Sequence, residues 1–337
     1  MSDLNIYVLG AGIVGLTTAL ELKRDLRNAS ITVIADDFYE NTTSYVAAGI
    51  FRPTSGDFGK SEEITRKWII DSFSYWELLR LSSESSEAGV KEISGYIFSS
   101  EHPHIVRNKY LEKLVPVYRK ATEEEMGLCL GDWKYGSYFS TILTDTAKYL
   151  KWAEKKIHMS NVPIRHEKIR AFSEISGECD VIVNCTGLGS KFLCNDSSLT
   201  AIRGQVSKVE APWIKHFFYG DYDTYIIPGF DNVTLGGCRQ YESYDKKFSQ
   251  YDYLSMRERC EKMLPSLRDA KLIGHRVGLR PHRIPVRVEM EEKIANGRKL
   301  KIVHNYGHGG YGVTTCPGTS INAVQLVRRA LTEKSKL

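Results

Sequence analysis

The stretch NIYVLGAGIVGLTTALEL near the start of the chain constrains the fold more than any other. Ile6, Tyr7, Val8 and Leu9 read as a short apolar strand. Gly10, Gly12 and Gly15 follow in G-x-G-x-x-G spacing around Ala11, Ile13 and Val14, and a helical run Leu16–Leu26 comes next. A second strand, ITVIADD, ends on Asp36 and Asp37. The first glycine makes the tight turn. The second lets a pyrophosphate approach the backbone, and the third lets helix pack on strand. The phosphates sit on the positive end of the helix, and an acid ending the second strand accepts from ribose hydroxyls. Strand, glycine turn, helix, strand and acid in this order point to a Rossmann-type site for an ADP-containing cofactor. They do not separate NAD from FAD.

The downstream chain does. A nicotinamide dehydrogenase continues with alternating strand and helix directly after residue 37. Here NTTSYVAAGIFRP follows, small residues along which a long flat ligand can lie. A helical region at about Glu62–Ser82 comes next. A further buried strand, Val181-Ile182-Val183, appears much later and exits through NCTGLGS. The stretch HNYGHGGYGVTTCPGT at 304–319 reads as a glycine loop before a last helix at Ile321–Leu331, its amides free to face an anion or a flavin ring. A nucleotide unit assembled from distant segments is expected, at 1–50, 140–190 and 296–331. Residues 51–139 and 191–295 then form a substrate unit.

Charge and composition narrow the partners. The net charge of +5 comes from 46 basic residues scattered among 41 acidic ones, which argues against nucleic acid. No apolar run is long enough for a membrane span, and residues 1–20 lack the basic start of a secretory signal. The seven cysteines show no metal-ligand spacing and fit free thiols in a reducing compartment. Residues 332–337 read as a targeting tail. Its Ser335-Lys336-Leu337 end is an address for the peroxisomal import receptor, placing the protein in the peroxisomal matrix.

One arginine raises a question. VTLGGCRQ runs a strand into Gly236-Gly237 and then Arg239. Either it is a solvated loop arginine or it faces an acidic ligand.

The motifs VLGAGIVGLTTA, TTSYVAAGIFRP, DVIVNCTGLGS, IRGQV, TYIIPG, VTLGGCRQ, VGLRPHR and VHNYGHGGYG, in this order over nearly the whole chain, resemble the D-amino-acid oxidase and D-aspartate oxidase family of flavoproteins. The resemblance implies an α/β fold: a Rossmann-type FAD domain interwoven with a substrate domain on a mixed, mainly antiparallel sheet. It gives Gly10, Ala11, Gly12, Ile13, Val14, Gly15, Asp36 and Asp37 to the ADP half of FAD. Thr43, Ser44, Gly49 and Ile50 lie along the pyrophosphate and flavin. Ile169 and Thr186 add contacts, and Gly309, Gly310, Tyr311, Gly312, Val313 and Thr314 form the loop beside the flavin ring. Arg280 grips the substrate α-carboxylate, Tyr225 hydrogen-bonds it, and the Gly310 carbonyl accepts from the amine. A bidentate guanidinium suits a planar carboxylate, although VGLRPHR alone does not choose among Arg276, Arg280 and Arg283.

The resemblance also bears on Arg239. Relatives acting on neutral substrates carry an apolar residue there, whereas the D-aspartate branch carries Arg followed by Gln. Arg239-Gln240 therefore implies acidic D-amino acids: D-aspartate, D-glutamate or N-methyl-D-aspartate. Hydride passes from the α-carbon to flavin N5 with no side-chain base, and dioxygen, ammonia, a 2-oxo acid and hydrogen peroxide complete the reaction. Two departures stand out. Tyr219 sits near where some aspartate oxidases have another arginine. Arg52 is charged where relatives often are not, either as a compensating carboxylate ligand or as half of a surface ion pair. The alternatives are an oxidase of neutral D-amino acids and a catalytically silent flavin binder.

Overall fold

The computed structural model describes residues 4–332; the Ser335-Lys336-Leu337 address lies outside them. Its strands are β1 (Asn5–Leu9), β2 (Ser30–Ala35), β3 (Val90–Ser99), β4 (Tyr118–Lys120), β5 (Tyr135–Thr144), β6 (Ile164–His166) and β7 (Val181–Asn184). They continue with β8 (Thr200–Glu210), β9 (Phe217–Tyr219), β10 (Tyr225–Pro228), β11 (Val233–Gly236), β12 (Gln240–Tyr241), β13 (Lys271–Ala295) and β14 (Arg298–His308).

Among the described residues these strands form one sheet in the order β4-β5-β3-β9-β10-β11-β8-β13-β14-β7-β1-β2-β6, with β12 paired to β8. From β14 through β7, β1 and β2 to β6 every pairing is parallel. The core strands here are apolar on both faces because helices cover a parallel sheet on each side. Ile6, Val8, Val33, Val181, Ile182 and Val183 are accordingly buried. From β8 out to β9 the pairings are antiparallel, and β3 joins β9 in parallel. This is the α/β architecture with a large mixed sheet.

β13 joins the two regions. Its first half, Lys271–His282, pairs with β8, and its second half, Arg287–Ala295, with β14. Arg280 lies at the end of the first half, opposite Ile202. The strand that carries Arg280 therefore touches both the nucleotide strands and the antiparallel sheet.

The last helix departs from expectation. It spans Gly312–Thr332 and begins directly after a short 3-10 turn at Gly309–Tyr311. Val313 and Thr314 are in its first turn, not in a loop. Pro317 inside the run reads as a helix break, since proline lacks the amide that would bond four residues back. The structure supplies a substitute: the Val313 carbonyl accepts from the Trp76 indole at 3.1 Å. Gly318 then lets the helix seat on Glu62–Arg80, because a Cβ there would lie 2.1 Å from the Trp68 carbonyl oxygen. Its own amide donates to Ser72 Oγ at 2.8 Å. On its other side the helix meets Ile13–Asp25 through a 2.8 Å Thr18–Ser320 hydroxyl pair. Both partners are long-range, so the propensity of the segment alone does not show them.

Candidate active site

A single cavity of about 1160 Å³ is lined by Gly10, Ala11, Gly12, Ile13, Val14, Asp36, Asp37, Thr43, Ser44, Gly49, Ile50, Arg52, Ile169 and Thr186. It continues past Tyr219, Tyr225, Arg239 and Arg280 to Gly309, Gly310, Tyr311, Gly312, Val313 and Thr314. Of the residues expected at the site, Gly15 alone lies off the lining, beneath the turn. A Cβ on Gly15 would be 1.9 Å from the Gly10 carbonyl oxygen, so its bareness serves helix-on-strand packing.

The nucleotide end fits a dinucleotide by its geometry. Gly10 has φ +107°, and a Cβ on it would meet the Cys185 carbonyl at 2.5 Å. Gly12 has room only up to Ser44 Oγ at 3.1 Å, and Ser44 Oγ accepts the Ile13 amide at 2.9 Å. Bare backbone at the start of a 13-residue helix is what phosphates need. The segment behind it is pinned to β13: Thr43 Oγ1 donates to the Leu279 carbonyl at 2.9 Å, and Arg276 donates to the Tyr45 carbonyl while lying 4.1 Å above its ring. Gly49, φ +79°, has no space for a side chain beside Thr144 O. Asp36 is ion-paired with Lys168 at 2.7 Å. Lys168 also lines the cavity, and sequence reasoning missed it because the pair spans 132 residues.

At the other end the arginines of VGLRPHR separate. Arg276 is held on Tyr45, and Arg283 pairs with Asp196 at 2.8 Å. Arg280 has no carboxylate partner among the described residues. Its guanidinium donates to the carbonyls of Arg203 at 3.3 Å and Cys238 at 3.2 Å. Gly204 makes room for it, since a Cβ there would lie 2.3–2.4 Å from three guanidinium atoms. Gly310 is beside it, its notional Cβ 3.5 Å from Arg280 Cδ. Gly236 and Gly237 serve Tyr225 in the same way: a Cβ on either would enter the tyrosine ring, at 1.9 and 2.6 Å. Burial pushes the Tyr225 hydroxyl above the usual tyrosine range, with Arg280 and Arg239 pulling the other way. The hydroxyl stays protonated at neutral pH and is available as a donor.

Gln240, next to Arg239, is turned inward. Its Oε1 accepts from the buried Arg203 at 2.8 Å, and its Nε2 donates to Asp252 at 3.1 Å. Arg203 itself is 2% exposed and pairs with Asp252 at 2.7 Å. Arg239 points the other way. It lines the cavity, is 43% exposed, and its Nε lies 3.0 Å from Asp223 Oδ1. Burial works against its charge, but Asp223 and Tyr311 beside it leave it above the ordinary arginine range. Tyr311 thus acts on Arg239 as well as lining the cavity. Arg52 makes no ion pair among the described residues. Its guanidinium sits 4.5 Å over the Tyr219 ring. His308 is buried, shares a 2.9 Å hydrogen bond with Thr319 Oγ1 and is pushed down to about 4 by burial, so it is neutral at pH 7.

The chain matches the family described as "FAD dependent oxidoreductase" over residues 5–326. It is 37% identical to the D-aspartate oxidase of Homo sapiens, with 97% of this chain and 95% of that one covered. It is 33% identical to D-aspartate oxidase 1 of Caenorhabditis elegans, with 98% and 99% covered. Among solved structures, glycine oxidase from Geobacillus kaustophilus superposes with a TM-score of 0.80 at 14% identity, over 97% of this chain and 95% of that one, which shows the shared fold.

Gly204 generates a test that separates fold from site. The atoms that a new Cβ would strike belong to the flexible end of Arg280, so Gly204→Ala is expected to fold and load FAD but to displace the guanidinium. Hydrogen bonds to a charged group contribute about 1.5–3 kcal/mol. The dissociation constant for a small carboxylate such as benzoate should rise roughly ten- to hundredfold, followed by the visible absorbance of the FAD-loaded protein. Unchanged carboxylate affinity would show that Arg280 does not need this space.

Proposed function

We propose, for a chain that belongs to the FAD dependent oxidoreductase family and groups there with D-aspartate and D-amino-acid oxidases, that its substrates are acidic D-amino acids. It is an FAD-dependent oxidase that deaminates D-amino acids. The observation that carries the acidic preference is the pair of guanidinium groups, Arg280 and Arg239, lining one cavity. The nucleotide unit is proposed to comprise 1–50, 140–190 and 296–331, and the substrate unit 51–139 and 191–295.

FAD held along Gly10–Gly12 and beside Gly309–Thr314 would supply the two-electron oxidation of the substrate, with dioxygen as the final acceptor and hydrogen peroxide as its product. Everything else asked of the chain is positioning. Arg280 holds the α-carboxylate as a planar fork, and its anchoring by two backbone carbonyls fixes the plane. Tyr225 donates to the same carboxylate. The Gly310 carbonyl takes the amine. Arg239 takes the side-chain carboxylate, with Arg52 close by on Tyr219 as a further cation for it. Carboxylate, amine and side chain held at three points fix where the α-hydrogen points, so the L enantiomer directs it elsewhere. His308 supplies no base, being neutral and engaged with Thr319. The imino acid released to water hydrolyses to a 2-oxo acid and ammonia.

Peroxide as a product gives the Ser335-Lys336-Leu337 tail its purpose, import into peroxisomes. Deleting Leu337 should leave the protein in the cytosol of a eukaryotic cell; a truncated chain that still co-localises with catalase overturns this reading.

The two arginines are expected to separate by substrate. Arg280→Ala should damage every D-amino acid. Arg239→Ala should damage D-aspartate and D-glutamate while sparing D-methionine. Removing one partner of a fully desolvated charge pair costs about 2–5 kcal/mol. Arg239 is 43% exposed, so the low end applies, roughly ten- to hundredfold in kcat/KM. Equal losses for D-aspartate and D-methionine in Arg239→Ala would make Arg239 structural.

A further inference from the structure

The proposed partner of a substrate carboxylate already has a carboxylate on it. Arg239 Nε lies 3.0 Å from Asp223 Oδ1, and the two side chains are similarly exposed, 43% and 42%. Asp223 stands in the turn Asp221–Thr224 between β9 and β10, closed by a 3.1 Å bond from the Thr224 amide to the Asp221 carbonyl. Tyr222 and Asp223 both have left-handed backbones, φ 58° and 57°. That pair of angles makes a tight hairpin turn for which asparagine and glycine are the usual residues. The turn is tied down. Asp221 Oδ2 accepts from the Ser100 hydroxyl at 2.6 Å, and the Gly237 amide donates to the Asp223 carbonyl at 2.8 Å. Arg259 donates to both Thr224 Oγ1 and the Gly237 carbonyl. The backbone of Asp223 is thus tied to Gly237, two positions before Arg239 in the chain.

We infer that Asp223 is a resident counter-ion of Arg239, a specificity-determining residue that the distal carboxylate of an acidic substrate must displace. The inference rests on the reading of Arg239 as the side-chain carboxylate ligand. Asp223 then acts on two substrate classes in opposite directions. It competes with the carboxylate of D-aspartate and so weakens its binding. When a neutral D-amino acid fills the cavity, Asp223 keeps Arg239 paired and spares the cost of covering a lone cation. The residue narrows the gap between acidic and neutral substrates.

The test is Asp223→Asn in the FAD-loaded protein. Asparagine keeps the shape and tolerates the left-handed backbone, and Asp223→Gly, which relaxes the turn, controls for folding. Both variants should lower KM for D-aspartate and raise KM for D-methionine, each by about two- to fivefold, the scale of a half-exposed ion pair. In a double variant with Arg239→Ala the effect should vanish. A disturbed turn would shift both substrates in one direction, and that result overturns the inference, as does no shift at all. The two readings fail separately. If Arg239→Ala alone leaves the D-aspartate to D-methionine ratio unchanged, the assignment of Arg239 is wrong. If that ratio falls while Asp223→Asn leaves it unmoved, only the counter-ion role is lost.

Discussion

The substrate end of the cavity depends on a charge that does not line it. Arg203, on β8, is 2% exposed. Its guanidinium is satisfied by Asp252 at 2.7 Å, Gln240 at 2.8 Å, Gln205 at 3.1 Å and the carbonyls of Asp245 and Lys247. A buried cation persists only when its donors are met and its charge is paired. Here meeting that condition fixes the surroundings. The Gln240 bond turns Gln240 inward and Arg239 outward. The Arg203 carbonyl accepts from Arg280, and the next residue is the glycine against which Arg280 lies. One buried guanidinium therefore references Arg239 and Arg280 to the same strand.

Bare glycine backbone has two uses in this molecule. At Gly10 and Gly12 it leaves the amides at a helix start uncovered, as phosphates require. At Gly204, Gly236 and Gly237 it makes room for this chain's own Arg280 and Tyr225. The Gly236-Gly237 pair that precedes Arg239 is thus a socket for the Tyr225 ring. Tyr225 and Arg280 gain fixed positions before any substrate arrives, which is where a positioning catalyst needs its order.

How much was legible in the sequence follows from contact range. The glycine turn at residues 10–15 and the strands around it are specified by near neighbours, and the α/β fold with its mixed sheet was readable from them together with the later motifs. The start of the last helix was not. Pro317 and its glycines signal a loop, and the Trp76 and Ser72 partners that overrule the signal are more than 230 residues away. The choice among Arg276, Arg280 and Arg283 likewise depends on Tyr45, Arg203 and Asp196, none of them local. Asp223 sits close to Arg239 in sequence, but no pattern links a turn aspartate to a cation across a glycine pair. Of the two alternatives for Arg52, the ion pair is not found among the described residues; the guanidinium lies over the Tyr219 ring instead, a contact that spans 167 residues.

On the proposed reading, Arg280, held by backbone carbonyls, and Arg239, paired with Asp223, receive the two carboxylates of an acidic D-amino acid. The most direct measurement is anaerobic mixing of the FAD-loaded protein with single amino acids, following the visible flavin absorbance. D-Aspartate should bleach it faster than D-methionine at equal concentration, and L-aspartate should leave it coloured. Faster bleaching by D-methionine, or none by D-aspartate, would contradict the assignment of the cavity to acidic D-amino acids.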